Sequence, residues 1–461
     1  MTSSDAQVGV VREGADDQQE QQRPSLKRLA VRGSAWVVTG QVAGQVIRLG
    51  GNVVLTRLLV PEAFGLMSLV RGVTDGLKML SDLGIQPAIV QSERADASFL
   101  NTAWTMQIIR GVGLFLLGCV LAWPVSKFYG EPVLLALVPA AAVMLLIDGF
   151  VATSLYMVQR QLRLAWLTVL ETAAQTVNIG VAIALAAVFH TVWALVVGGL
   201  VGMGMRLALS HLWLPGIRNR FHWEPEAARK LYHFGKWIFG STMLTFAAMY
   251  ADRIILGKLL GMSLLGVYSI AFYLSRAWPD MFTRLVYQVV YPALSRVGRE
   301  DRRRVRDVYY RARLWLDMLA EVPLGGLLVL APWLVRLLYD PRYESAGWML
   351  QLLVIQSAMA CPLAATENCL FSLGYTRYGF FRSLARAVWM FGALPVGYWF
   401  WGTPGLVWAV ALAEVPVLLV LWPASIRYGL LNPLLELRAV LFLAVGGGLG
   451  LAFLQVVRLL G

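Results

Sequence analysis

The sequence predicts an all-α polytopic membrane protein. Two six-helix lobes, related as parallel repeats, would form a two-lobed transporter, with one further C-terminal helix. Three observations carry this. Apolar runs about 20 residues long, enough to cross a bilayer as a helix, recur along nearly the whole chain. The mean hydropathy is +0.63 and only 15% of the 461 residues are charged, against about 25% in an average soluble domain. Lysine and arginine gather on alternate loops, and one stretch of sequence recurs at a constant offset.

The elements follow in order. Residues 1–22, "MTSSDAQVGVVREGADDQQEQQ", are acidic and glutamine-rich with no apolar core. They read as a disordered cytoplasmic tail, 1–25, and lack the features of a signal peptide. Spans are then expected at 34–58, 64–90, 99–123, 132–157, 164–189 and 192–214, forming an N-terminal lobe over 26–215. A basic cytoplasmic linker, 216–231, leads to spans at 234–258, 264–294, 313–339, 345–373, 378–400 and 405–426, a C-terminal lobe over 232–428. A thirteenth span, 438–459, falls in 429–461.

Orientation follows from the basic residues. Twenty-five Lys and Arg fall on the side of the N-terminus, including Arg377, Arg382, Arg386 and the eight arginines of "RVGREDRRRVRDVYYRAR", and four on the other. The positive-inside rule puts the N-terminus in the cytoplasm. The net charge of +13 is largely this topology signal, so no nucleic-acid partner is needed to explain it. No GxxxxGK[ST] occurs, so no P-loop is present, and the loops on the other side are short. The chain reads as a transporter without an ATPase site rather than an enzyme. Cys119, Cys361 and Cys369 have neither metal-ligand nor disulfide spacing and read as buried small residues. No catalytic or metal site is expected.

The repeat lies in "LTRLLVPEAFGLMSL" (55–69) and "LGKLLGMSLLGVYSI" (256–270). Leu55 matches Leu256, Arg57 matches Lys258, Gly65 matches Gly266, Ser68 matches Ser269, and Trp36 falls on Trp237 in the same register. An even number of spans separates the copies, so they enter the membrane in the same direction.

Polar stripes interrupt the apolar spans. Gln41, Gln45, Arg48 and Asn52 are spaced 4, 3 and 4, and so are Arg71, Asp75, Lys78 and Asp82. Glu171, Gln175 and Asn178 share a face, as do Arg276, Asp280 and Arg284, and Asp252 and Arg253 stand in the seventh span. A charge at the bilayer centre costs at least about 2.5–3.5 kcal/mol, so these faces are expected to meet at the cleft rather than face lipid. Pairs such as Arg71–Asp75 and Lys78–Asp82 on a buried helix are the plainer alternative. Arg57, Lys258, Arg313 and Arg336 lie near span ends and are expected to snorkel.

The expected cleft thus holds Arg48, Arg71, Lys78, Arg253, Arg276 and Arg284 against Asp75, Asp82, Asp252 and Asp280. The acids would compensate the bases or bind a coupling proton or sodium ion. A guanidinium fork matches phosphate oxygens, and Gln41, Gln45, Asn52, Gln175 and Asn178 can hydrogen-bond hydroxyls. Phosphate with many hydroxyls, presented to a membrane cleft, describes a lipid-linked sugar.

"LTRLLVPEAFGLMSLV", "LSDLGIQPAIVQ" and "NTAWTMQIIRG", followed by "ADRIILGKLLGMSLLGVYSIAFYL" and "YPALSRV", resemble the oligosaccharide and polysaccharide flippase family over roughly 26–430. The resemblance implies two six-helix bundles in a V, working by alternating access in the bacterial inner membrane. It implies a substrate of undecaprenyl-diphosphate-linked oligosaccharide for O-antigen, capsule or exopolysaccharide assembly. A polysaccharide polymerase and a chain-length regulator would be neighbours in that pathway. Two other readings compete. A cation-coupled multidrug exporter of the same superfamily would take cations, which a basic cleft repels. A polysaccharide polymerase or ligase would need a larger outer face.

Overall fold

The computed structural model describes residues 26–81, 85–91, 94, 96–161, 163–301 and 304–460. The expected tail, Asp82, Arg302, Arg303 and the side chain of Trp237 lie outside the described residues. Described secondary structure is helical throughout. In chain order the helices are α1 Leu26–Leu58, α2 Pro61–Leu80, α3 Ile85–Gln91, α4 Ala97–Tyr129 and α5 Leu134–Phe150. Next come α6 Ser154–Arg160, α7 Leu164–Phe189, α8 Trp193–Leu212, α9 Pro225–Leu285 and α10 Tyr291–Glu300. The last five are α11 Val305–Leu338, α12 Ala346–Ser372, α13 Arg377–Ala411, α14 Val415–Arg427 and α15 Pro433–Leu460.

Local chemistry sets the boundaries. Pro61 opens α2, where its missing N–H is no loss. The Asp96 carboxylate caps α4 by accepting the Phe99 N–H at 3.2 Å. Gly130 ends that helix at φ 74°, a left-handed conformation that glycine adopts without penalty. Gly261 (φ 77°) folds α9 back on itself, so one helical element supplies both the seventh and the eighth expected span.

Among the described residues, eight helices are long and apolar enough to cross a membrane, or nine if the pair α5 and α6, bent by 62°, is one span. The thirteen expected spans differ from this tally for physical reasons. The stretches Tyr250–Leu285 and Arg377–Arg427 each pass as one apolar unit although Gly261 and Gly402 break their backbones. α1 and α2 are long helices but carry the polar stripes, which lower their apolarity. The thirteenth segment, α15, is a helix packed along α11. Gly325 and Gly446 lie against the carbonyls of Leu443 and Val322, an approach that only small residues permit.

Helices α1 and α3–α8 pack chiefly on one another, as do α10–α15, while α2 packs chiefly along α9 and so joins the two sets. In the first turns of α2, this contact is reciprocal. Gly65 lies against the carbonyl of Met262, and Gly266 against the carbonyl of Pro61; a Cβ at either position would overlap the oxygen. These four residues are partners in the register of the repeat, so the contact is one contact made twice, as a local two-fold axis requires. Next to it the Tyr343 hydroxyl donates to the Leu59 carbonyl (3.3 Å), and the Phe64 and Tyr343 rings meet edge to face. The two sets are therefore closed on each other at the end remote from the start of α1.

Arg313 departs from its expectation. It does not snorkel but is 1% exposed, inside the packing of α11, α12 and α15. It reads as a span-end residue only if the span begins there, whereas α11 begins at Val305 and Glu436 of α15 supplies the counter-charge. Arg57, Lys258 and Arg336 are exposed as expected. Cys361 and Cys369 are buried, and Cys119 is only half-buried.

Candidate functional site: an arginine-lined cavity between the two helix sets

A cavity of about 660 Å³ opens between α1, α2 and α7 on one side and α9 and α13 on the other. The helices that face it carry the polar stripes. Arg48, Asn52, Arg71, Asp75, Gln175, Asn178, Arg253, Arg276 and Asp280, all singled out by spacing, line this one space. Tyr250, Tyr273, Arg382 and Arg386 also line it, and the polar stripes do not include them. In the sequence the two arginines read as loop charges. Their spacing of four inside an apolar segment was the available signal, together with the lone acids Glu367 and Glu414 in neighbouring apolar segments.

The arginines fall into two groups by partner. Arg276 pairs with Asp280 at 3.0 Å, Arg382 with Glu367 of α12 at 2.7 Å, and Arg386 with the fully buried Glu414 at 2.7 Å. Arg48 instead donates to two amide oxygens, Gln175 Oε1 at 3.0 Å and Gln45 Oε1 at 2.8 Å. Gln175 is itself fixed by donating to the Gly44 carbonyl at 2.6 Å, so α7 holds the Arg48 fork in place. Arg253 lies over the rings of Tyr250 and Phe272, at 5.1 and 4.6 Å from their centroids. Asp75 accepts the Tyr250 hydroxyl at 2.7 Å and forms no ion pair with Arg71. Among the described residues, Arg48, Arg71 and Arg253 have no carboxylate partner.

Other expected residues fall outside the cavity lining. Lys78 does not face it but pairs with Asp148 of α5 at 2.7 Å, two helical turns along α2 from Arg71. Arg206 joins that pair at 2.9 Å and also reaches Glu171 at 3.2 Å, so Glu171 belongs to this second network. Arg110 extends it by donating to Ser81 and to the Lys78 carbonyl. Arg284 is exposed and does not line the cavity, which ends at Asp280, one helical turn before it. Asp252 is 1% exposed and accepts the Tyr268 hydroxyl at 2.8 Å, facing the helix packing rather than the cavity. Gln41 does not line the cavity, and Gln45 acts through Arg48.

Among the described residues no group of three or more His, Cys, Asp or Glu could hold a metal. The chemistry on offer is multidentate recognition of an anion. Three unneutralised guanidinium groups on α1, α2 and α9 can each present a fork of N–H donors. Asn52, Gln175 and Asn178 add neutral donors and acceptors.

The chain is similar in sequence and fold to known proteins. Residues 54–348 match the family described as "Polysaccharide biosynthesis protein". The chain is 21% identical over 340 residues to the lipopolysaccharide biosynthesis protein WzxC of Escherichia coli (strain K12), covering 72% of this chain and 67% of that one. It is 22% identical over 376 residues to the succinoglycan biosynthesis transport protein ExoT of Rhizobium meliloti (strain 1021), covering 80% and 74%. Its fold is similar to that of the lipid II flippase MurJ in an inward closed conformation, with a TM-score of 0.68 at 11% identity over 92% of this chain and 100% of that one. With a match that spans more than half its length, this multi-pass membrane protein belongs to the polysaccharide biosynthesis protein family.

Proposed function

We infer that this protein flips undecaprenyl-diphosphate-linked oligosaccharide units across the bacterial inner membrane. The observation that carries the reading is the trio Arg48, Arg71 and Arg253, which bring positive charge without a carboxylate partner to a cavity between the helix sets. A diphosphate neutralises them, the amides beside them suit sugar hydroxyls, and the lipid tail stays in the bilayer. Relatives named for lipopolysaccharide and succinoglycan biosynthesis support the same substrate class. The multidrug-exporter reading fits less well, since a cationic drug would meet these arginines. A polymerase or ligase reading gains no support from the cavity, whose lining is a binding surface.

The head group enters from the side of the N-terminus, taken as cytoplasmic from the basic loops. The opposite end is closed by the Gly65 and Gly266 contacts. A cysteine at Arg296 should therefore be labelled only from the cytoplasmic side, and one at Glu344 only from outside. Labelling of Arg296→Cys by an impermeant reagent in intact cells would reverse the orientation.

Binding tests the substrate class. Purified protein in lipid nanodiscs should take up undecaprenyl diphosphate more tightly than undecaprenyl monophosphate. Each Arg→Ala change in the trio should weaken it about 10- to 150-fold, from the loss of about 1.5–3 kcal/mol per charge-assisted contact. Equal affinity for the two lipids, unchanged by the three substitutions, would remove the diphosphate from the account.

A further inference from the structure

The cavity lining changes character with depth. On the closed side, α1 stops at Leu58, α2 starts at Pro61, α7 stops at Phe189 and α8 starts at Trp193, while α9 and α13 are broken at Gly261 and Gly402. A residue's depth then follows from its distance along its helix. Arg48 and Arg71 are each ten residues in and Arg253 eight, so at 1.5 Å per residue the three unpaired guanidinium groups form a band about 12–15 Å from the closed end.

Between that band and the closed end the lining is mostly apolar. Leu55, Phe64, Met67, Ala182 and Leu195 line it there, each within seven residues of a helix end. The hydroxyls at this level offer little: Ser269 donates to the Leu265 carbonyl of its own helix at 2.7 Å, and Ser68 is 8% exposed. Asn52 adds an amide one turn along α1 from Arg48. On the other side of the band, toward the start of α1, the lining turns polar. Gln175 lies 14 residues from the closed end, Thr245 16, and Asp280 and Ser383 19, which is about 21–28 Å. The arginines at this level, Arg276, Arg382 and Arg386, are the ones that carboxylates neutralise. A paired arginine still presents N–H donors, and its carboxylate still has lone pairs to accept with. Asp280 keeps 56% of its side chain exposed while it holds Arg276 at 3.0 Å. This half of the cavity therefore offers many donors and acceptors with little net charge, which suits sugar hydroxyls. The apolar half does not, because a hydroxyl taken from water and left without a partner costs free energy.

The order of groups in the substrate class fits this gradient. A lipid-linked sugar in the inner leaflet has its tail toward the bilayer centre, its diphosphate next and its sugar on the cytoplasmic side. We propose that the sugar binds in the half of the cavity nearer the start of α1, against Thr245, Asp280 and Ser383, with the diphosphate beyond it in the arginine band. Thr245 and Ser383 are then residues that select the sugar, and the lipid enters without inverting. This assignment rests on the flippase reading.

Binding of two lipids to the full chain in nanodiscs tests it. One is undecaprenyl diphosphate, and the other is the same lipid bearing the oligosaccharide, extracted from the host's membranes. Thr245→Val, which keeps the shape of the side chain, and Ser383→Leu should each weaken the sugar-bearing lipid about 10-fold and leave the bare lipid unchanged. Ser269→Leu, on the apolar side of the band, should change both affinities by the same factor, because no sugar lies there. The bare lipid reports folding in every variant. A selective loss of the sugar-bearing lipid in Ser269→Leu, or equal effects on the two lipids in Thr245→Val and Ser383→Leu, would overturn the assignment and leave the flippase reading standing. Wild type that binds neither lipid would overturn both.

Discussion

The arginines of one cavity are held in two different ways. On α13 and the end of α9, Arg382, Arg386 and Arg276 each have a carboxylate within 3.0 Å. On α1, Arg48 is held at comparable distances by amides, which fix its direction and leave its charge. Arg71 on α2 has no carboxylate, and Arg253 is held by ring faces. The first group is architecture with its charge spent inside the protein. The second keeps its charge without a carboxylate partner, which is what the proposed diphosphate site uses. Counting arginines in the lining cannot separate the two; tracing each to its partner does.

The largest expected effect breaks the architectural group. Arg386→Ala leaves Glu414 at 0% exposure without its counter-charge, a loss of about 3–5 kcal/mol for a broken buried pair. Membrane-inserted protein should fall sharply, and Arg386→Met with Glu414→Leu should restore it. Protein levels unaffected by Arg386→Ala, with flipping abolished, would move Arg386 into the ligand-binding group.

A smaller effect probes the symmetric contact beyond the cavity. Gly65→Val and Gly266→Val each push a side chain into a carbonyl of the other helix set, at about 1–3 kcal/mol for overpacking. Because the contact is reciprocal, the two variants should shift thermal stability to a similar degree, and both should raise the labelling of Ser68→Cys from outside. Only one variant having an effect would argue against a local two-fold there.

The smallest effect lies outside the membrane. Arg94 donates to Asp96 at 2.9 Å and to Glu224 at 2.7 Å, tying the chain before α4 to the segment before α9. Its guanidinium holds the Asp96 carboxyl down to about 2. A depressed carboxyl stabilises the fold above its unfolded value of about 3.9 and loses that contribution as pH falls toward about 2. Asp96 is exposed and Arg94 half-buried, so solvent screens the pair and the effect is small. Hydrogen exchange at the Phe99 amide should rise over that window in wild type and stay flat in Asp96→Asn.

The sequence made much of this legible where periodicity speaks. Arg48, Asn52, Arg71, Asp75, Arg276 and Asp280 were each placed on a polar face by spacing, and one cavity unites them. What spacing could not supply was the partner. Lys78 shares a stripe with Arg71, yet Asp148 on a distant helix takes it away from the cavity. Arg284 continues the row of Arg276 and Asp280, but the cavity ends before it. Arg382, Arg386 and Arg313 were misread as end charges because their neutralising acids, Glu367, Glu414 and Glu436, come from other segments. A face is local information; a salt bridge between helices is not.

The measurement that bears most directly on the account is the flipping rate of a fluorescent undecaprenyl-diphosphate-linked sugar in reconstituted vesicles. The triple variant Arg48→Gln, Arg71→Gln, Arg253→Gln should fall to the protein-free background. Arg48→Lys alone should keep partial activity, since it retains charge but loses the fork. The matched double variant Arg276→Gln, Asp280→Asn, which leaves net charge unchanged, should stay within a few-fold of wild type by the same reasoning on spent charge. A triple variant that flips at the wild-type rate, at equal reconstituted protein, would contradict the claim that these three arginines hold the diphosphate.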